Sequence, residues 1–261
     1  MKINVIYNKH ISNYFDALES LERALLDAKI QFETYELNEM SNFGDFTIVI
    51  GCDGTLLRAA RFYSEWAIPV LGVNLGRLGF LSQVAKDEIK ALVEEISEGN
   101  FTTEARTMLT SIDRLALNDF VIKGCDSSRT SKFYLEINGK EVCDYIADGL
   151  IISTPTGSTA YGLSAGGPIL YPTSDVITIV PICPHTLNAR PLVVPSSEII
   201  TVKTADKLLT VSIDGFDTEK CVDKITVKKS DRKAVLAFLN NACFYEILRD
   251  KLHWGESIAQ G

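Results

Sequence analysis

Three glycine-bearing stretches and an Asn-Asp pair hold most of the residues in this 261-residue chain that could do chemistry. The stretch TIVIGCDGTLLRAA (47–60) places Asp53 directly after an apolar run, between Gly51-Cys52 and Gly54. Residues Thr47–Ile50 read as a strand, followed by a tight loop and a helix opening at Thr55. An acid there stands at the carboxyl end of a strand, where open α/β sheets bind ligands. The glycines let backbone approach a phosphate, and a helix start presents free N–H groups to it. Asp53 would then be a general base on a hydroxyl, or help hold a metal ion on a phosphate chain. Asp-Gly is also an ordinary turn, and this loop alone leaves both readings open.

A second stretch, GVNLGRLGFL (72–81), carries three glycines after another strand pattern. It is either a loop lying close to a ligand or to the first loop, or a turn using positive φ. Arg77 would meet a phosphate there or stay solvated. The third, ADGLIISTPTGSTAYGLSAGGP (147–168), is the most informative. Asp148-Gly149 precedes the apolar Leu150–Ile152, and a hydroxyl-rich run through Thr154, Thr156, Ser158 and Thr159 leads to Tyr161 and a short helix. Ser158 or Thr159 would cap that helix. Such a run is poor core material and suits sugar hydroxyls and phosphates, with Tyr161 placed to stack on a base. A polar surface loop is the plainer alternative. Asn118-Asp119, inside RLALNDFVI, interrupts an apolar strand: an edge irregularity, or an amide and a carboxylate reading a base or ribose. His10, His185 and His253 form no metal-spaced pair, and no protein metal ligand is expected.

The elements that must position these residues change character along the chain. Up to about residue 100, strand patterns alternate with helical ones. INVIY (3–7) is a strand, and Tyr14, Phe15, Leu18, Leu21, Leu25 and Ala28 share a helix face. FETYEL, FTIVI and IPVLGV are strands, and KDEIKALVEEISEG is a helix that Gly99 stops. This predicts an α/β, Rossmann-like parallel-sheet domain over 1–100. From 101 to 233 short strands dominate, with Asn138-Gly139 a hairpin signal. That predicts an antiparallel β-sandwich domain. ACFYEILRDKLHW returns to helical spacing, so 234–261 is expected to pack on the first domain.

A formal charge of −8 repels nucleic acid and anionic lipid, and no apolar run approaches membrane-spanning length. Six scattered cysteines without a C-x-x-C pair, and an N-terminus lacking a signal-peptide core, lead us to expect a cytoplasmic protein.

Together GCDGTLLRAA, GVNLGRLGFL, ALNDFVI, DGLIISTPTGSTAYGLSAGGP, PHTLNARPLVVP and FYEILRDKLHW resemble the NAD kinase family, in its order and over most of the chain. The first motif is shared with lipid kinases and 6-phosphofructokinases; the TPTGSTAYGLSAGGP run with the N-x-G-x-L-G-F run is far more specific. The resemblance implies transfer of the ATP γ-phosphate to the 2′-hydroxyl of the adenosine ribose of NAD, giving NADP. It implies a divalent metal cation, Mg2+ or Mn2+, with ATP, and a homodimer or homotetramer. Matched by position, Asp53 is the catalytic acid with Gly54 beside it, and Arg58 belongs to the same motif and to the expected nucleotide site. Asn118 and Asp119 contact NAD, and Asp148 and Thr156 flank the Gly-Leu strand and its loop. Thr159, Ala160, Tyr161, Gly162, Leu163 and Ser164 form the dinucleotide-binding segment, and Asp214 is a further acid near the ligand.

Three positions depart from the family pattern: Cys52 replaces the usual second glycine, Asp119 replaces a commoner Glu, and Ile146 stands where many members have Arg. A lipid kinase would share the acid loop, but its usual Gly-Thr-Gly-Asn-Asp segment is absent. A silent dinucleotide sensor is the alternative that Cys52 and Ile146 keep open.

Overall fold

The structure, a computed structural model, describes residues 1–76, 79–81, 84–125, 130–186, 188–205, 208–221, 224–239 and 243–252. Arg77 and His253 lie outside the described residues. The chain divides into two units, Met1–Glu104 with Val235–Gly261, and Ala105–Ala234.

The first unit opens with β1 (Lys2–Tyr7), α1 (Tyr14–Asp27), β2 (Gln31–Glu36) and β3 (Phe46–Ile50). It continues with α2 (Asp53–Tyr63), β4 (Val70–Asn74), β5 (Val84–Ala85) and α3 (Ile89–Glu98). Strands β2, β1, β3 and β4 lie side by side and parallel. Every residue of β3 and β4 is buried, as a parallel sheet covered on both faces requires. In α1 the buried stripe is Ala17, Leu21 and Leu25. Phe15, expected on that stripe, is 64% exposed because it sits a helical step of about 100° away from Tyr14. Ala28 is exposed too, beyond the helix end. Gly99, at φ 77°, ends α3 in the left-handed conformation, as its spacing predicts.

One boundary bears on the site. Helix α2 begins at Asp53, two residues before the expected Thr55, because the Cys52 carbonyl already accepts the N–H groups of Thr55 (2.9 Å) and Leu56 (3.1 Å). Asp53 and Gly54 therefore occupy the first helical turn rather than a preceding loop.

The second unit takes up the chain in β6 (Phe101–Ser111), then β7 (Arg114–Ala116), β8 (Asp119–Gly124), β9 (Ser131–Ile137), β10 (Lys140–Ala147) and β11 (Gly149–Ser153). After α4 (Tyr161–Ser164) come β12 (Val176–Ile182), β13 (Leu192–Pro195), β14 (Ile200–Thr204), β15 (Leu209–Ile213) and β16 (Asp217–Cys221). Strand β17 (Lys224–Leu239) leads back into the first unit, where Leu236 pairs with Val70 in parallel and α5 (Phe244–Leu252) follows.

Within the second unit, β10-β9-β14-β17 forms one antiparallel sheet and β13-β12-β11-β8-β15-β16 another. Asn138 and Gly139, at φ 51° and 75°, make the hairpin between β9 and β10. Phe120, Ile122, Leu150, Ile152, Val211 and Ile213 of the second sheet share one core with Phe133, Leu135, Val202 and Val227 of the first. Alternation along the strands then turns Val121, Lys123, Thr210 and Ser212 to the outer face of the second sheet. Among the described residues no helix is long and apolar enough to cross a membrane.

Candidate active site

Asp53 is fixed by the second glycine loop. Its carboxylate accepts the Phe80 N–H at 2.8 Å through Oδ2 and the Leu81 N–H at 3.4 Å through Oδ1. The GVNLGRLGFL stretch is thus the strap that orients the acid of the first loop. Gly79 is required for it: a Cβ there would stand 1.9 Å from Asp53 Oδ1. Asn74 tightens the same strap by accepting the Gly76 N–H at 2.9 Å. Cys52 adopts φ −92°, ψ 175°, an extended conformation open to any residue, so the departure from glycine costs no backbone strain. Its exposed thiol lies 3.7 Å from Thr55 Oγ1. Arg58 donates to Asn38 Oδ1 at 2.8 Å, at the carboxyl end of β2.

In the second unit the turn before β8 hangs on one side chain. Asp214 accepts the N–H groups of Leu117 (3.0 Å), Asn118 (2.7 Å) and Asp119 (3.1 Å), and its own N–H returns to the Asp119 carbonyl at 3.0 Å. Asp214 sits at φ 49°, a conformation that Asp tolerates better than most residues. The acid expected to touch ligand is thus first a clamp on the Asn118-Asp119 pair. Strand β7 ends at Ala116, Asn118 lies in the connection and Asp119 opens β8, where the sequence suggested a break within a single strand.

The hydroxyl-rich run is more buried than its composition predicts. Thr154, Thr156 and Ser158 are buried, and they spend their hydroxyls on the protein. Thr154 donates to the Leu117 carbonyl and accepts the Gly157 N–H at 3.0 Å. Ser158 donates to the Pro155 carbonyl and accepts the Leu170 N–H, and Thr159 donates to the Thr156 carbonyl. Neither Ser158 nor Thr159 caps α4; its N-cap is Ala160, with no side-chain cap bond. The buried Arg106 donates to Thr156 Oγ1 at 3.3 Å. At Gly157 a Cβ would come within 2.2 Å of the Asn118 carbonyl, so glycine lets the run pack directly on the Asn118 turn. The run is therefore a buried, self-bonded floor, and only its later residues Ala160 and Tyr161 line a cavity.

A cavity of about 410 Å³ opens on the outer face of the second sheet, a size suited to a small-molecule ligand. Of the expected site residues, Asn118, Asp119, Ala160, Tyr161 and Asp214 line it. Thr156, Thr159, Gly162, Leu163 and Ser164 belong to the supporting run, and Asp148 is exposed after β10, outside the lining. Sequence reading missed Lys123, Thr210, Ser212 and Thr218 in the wall. The alternation of KLLTVSIDG carried that signal, since it puts Thr210, Ser212 and Asp214 on one face.

Asn118 Oδ1 is buried with no hydrogen-bond partner among the described residues, an acceptor suited to a donor from a ligand. The Asp119 carboxyl is pushed up to about 7, by burial first and by the neighbouring Asp214 second. A carboxyl raised in the folded state makes the native protein bind more protons than the unfolded chain from about pH 4 to pH 7. Stability is then greatest at low pH on this account, and falls as pH rises through that window. Asp119→Asn removes the effect, so unfolding at pH 8 should be harder by on the order of 4 kcal/mol, and at pH 4 nearly unchanged. Denaturant titrations of both proteins at the two pH values check it; equal shifts at both would refute the assignment.

An acid anchored at a strand's carboxyl end and a nucleoside-sized cavity lined by acceptors have parallels in known proteins. Residues 4–101 match the ATP-NAD kinase N-terminal domain and residues 117–239 the ATP-NAD kinase C-terminal domain. The NAD kinase of Pseudomonas fluorescens (strain Pf0-1) is 39% identical over 99% of this chain and 97% of its own length. This chain belongs to the NAD kinase family. It phosphorylates NAD to NADP with ATP as donor. A crystal structure of an NAD kinase from Archaeoglobus fulgidus in complex with ATP aligns at a TM-score of 0.83, with 26% identity, over 97% of this chain and 99% of that one. Yeast NADH kinase complexed with NADH aligns at 0.88 with 23% identity, over 100% of this chain and 90% of that one, a likeness of fold. The NAD kinase fold thus accounts for both the parallel sheet carrying Asp53 and the antiparallel sheets carrying Asn118 and Asp119.

Proposed function

We propose that Asp53 is the general base of this phosphoryl transfer, and that Asn118 and Asp119 hold the adenosine ribose of NAD. The observation that carries the first assignment is the two-point backbone anchor on the Asp53 carboxylate in the first turn of α2. A ribose hydroxyl is a weak nucleophile, and a positioned carboxylate that takes its proton during attack lowers the barrier directly. The 2′-oxygen forms a bond to the γ-phosphorus, the bond from that phosphorus to the ADP oxygen breaks, and the proton passes to Asp53. First-turn N–H groups of α2, at Asp53 and Gly54, suit the negative charge of a phosphate.

Ribose hydroxyls are donors, which matches the partnerless Asn118 Oδ1 and the Asp119 carboxyl in the cavity wall. Ionisation of Asp119 is favoured once a ligand hydroxyl donates to it. Asp119 is one methylene shorter than the Glu commoner in the family, so it holds the ribose closer to its own strand.

Among the described residues no group of three or more His, Cys, Asp or Glu side chains could cage a metal. A Mg2+ or Mn2+ ion carried on the ATP phosphates fits such a chain, since Mg2+ is commonly held by substrate phosphates with few protein ligands. It would supply charge neutralisation on the transferred group. Assembly as a homodimer or homotetramer, and a place in the cytoplasm, complete the proposal. The family likeness supports the first, and five free cysteines among the described residues accord with the second.

The test is NADP formation by the purified protein from NAD, ATP and magnesium, read out with an NADP-specific dehydrogenase. Turnover should disappear with excess chelator and return with Mg2+ or Mn2+. Undiminished turnover in chelator would remove the metal from the proposal.

A further inference from the structure

The cavity wall has a cation that none of the assignments above uses. Lys123 lies on β8, four residues beyond Asp119 and roughly 13 Å along the strand from it. Its side chain lines the cavity, and its ammonium stands 6.0 Å from the centre of the Tyr161 ring. Among the described residues Lys123 makes no ion pair, although the chain as a whole is acidic. Gly149, on the neighbouring strand, leaves room for its stem: a Cβ there would be 3.0 Å from Lys123 Cγ.

Strand register sets one hydroxyl opposite that cation and two more a step along the strand toward Asp119. Thr210 pairs with Lys123 across β8 and β15, Ser212 is the next outward residue of β15, and Thr218 of β16 pairs with Ser212. All three line the cavity with Lys123. The outer face of the sheet thus has two chemically distinct ends. Near Asn118 and Asp119 it offers acceptors, suited to hydroxyl donors. At Lys123 it offers an ammonium and the Thr210 hydroxyl, and at the register of Val121, between the two ends, the hydroxyls of Ser212 and Thr218, all able to donate to an anion.

We propose that Lys123, with Thr210, Ser212 and Thr218, forms the subsite that receives the diphosphate bridge of the dinucleotide. The inference rests on the reading that this cavity holds NAD. It assigns the negatively charged middle of that ligand to the end of the wall away from the two acids. Lys123 rests over the Tyr161 ring. Cation and ring attract each other there, and a base stacking on Tyr161 would release the ammonium toward the diphosphate.

Steady-state kinetics and equilibrium binding of Lys123→Gln and Lys123→Arg test it, with NAD, adenosine and ATP as the probes. Lys123→Gln should raise the KM for NAD about tenfold, the value of one charge-assisted hydrogen bond at a partly exposed site, with the loss confined to KM. Lys123→Arg should recover most of it. Adenosine, which lacks the diphosphate, should bind both variants as it binds the parent. The salt dependence of NAD binding should flatten in Lys123→Gln. An unchanged KM for NAD overturns the subsite, and so does equal weakening of adenosine and NAD. A rise in the KM for ATP alone would give the anion site to the donor and overturn it as well. Asn118→Ala separates this failure from that of the underlying reading. If Asn118→Ala weakens NAD and Lys123→Gln does not, only the subsite falls; if neither does, the cavity is not the NAD site.

Discussion

Asp53→Asn should lower kcat for NADP formation by about a thousandfold, within the range that a positioned general base contributes, and leave the KM for NAD within a few-fold of the parent. The substitution is nearly isosteric, so the geometry survives. The amide oxygen can keep the Phe80 N–H, which bonds at 2.8 Å in the parent, and the amide nitrogen then faces the longer Leu81 contact at 3.4 Å. What is lost is the ability to take a proton. Thermal unfolding should move little, which separates loss of chemistry from loss of fold. Gly79→Ala reaches the same carboxylate from the other side. The new methyl would overlap Asp53 Oδ1, so either the strap or the carboxylate must shift. Because small displacements of a reacting group cost about a hundredfold, kcat should fall by that order. Near-parental turnover of Asp53→Asn would show that another group accepts the proton.

The second large effect is expected at Asp214, and on stability as well as binding. Asp214→Ala leaves three backbone N–H groups, those of Leu117, Asn118 and Asp119, without their acceptor. Each buried donor left unsatisfied costs about 1–3 kcal/mol, and the Leu117 and Asp119 N–H groups are buried while that of Asn118 is part-buried, so a total of roughly 3–6 kcal/mol is expected, toward the low end of the sum for three. Alanine also has to adopt the positive φ of this position. For a chain of this size the melting temperature should fall by about 10 °C or more. Asp214→Asn is the informative companion. Its amide oxygen can keep the two bonds that Oδ1 accepts, from Asn118 and Asp119, and Asn tolerates the left-handed conformation. It should lose about 1–2 kcal/mol only. Because the clamp sets the Asn118-Asp119 turn, the KM for NAD should rise in both variants and in the same order as the instability. A KM for NAD that rises in Asp214→Asn while stability stays parental would instead make Asp214 a direct ligand contact.

Much of this was legible in residue order. Val/Ile-rich runs alternating with amphipathic stretches specify a parallel sheet, because a strand buried on both faces has no polar positions to spare. The strands β3 and β4, the stop at Gly99 and the hairpin at Asn138-Gly139 follow from local chemistry acting over a few residues. Asp53, at the end of an apolar run and flanked by glycine, was recognisable for the same reason. The family motifs, though not the spacing alone, pointed to NAD.

Other features depend on contacts between residues distant in the chain. Strand β6, Phe101–Ser111, mixes Thr, Glu and Arg with apolar residues, and its extended form comes from pairing with other strands. Polar Ser230–Lys233 interrupts the pattern of β17, yet the strand continues, since its two ends pair with β14 and with β4. The role of the GVNLGRLGFL loop as the holder of Asp53 is a contact across 27 residues, and the clamp of Asp214 on Asn118 spans 96. The hydroxyls of Thr154, Thr156 and Ser158 look like ligand contacts in one dimension, but in three those of Thr154 and Ser158 satisfy backbone groups and that of Thr156 accepts from Arg106. Sequence alone thus determined which residues are chemically equipped to bind and react. Tertiary structure decided which of them face a ligand and which hold the others in place, because a buried polar group must find its partner wherever the fold brings one.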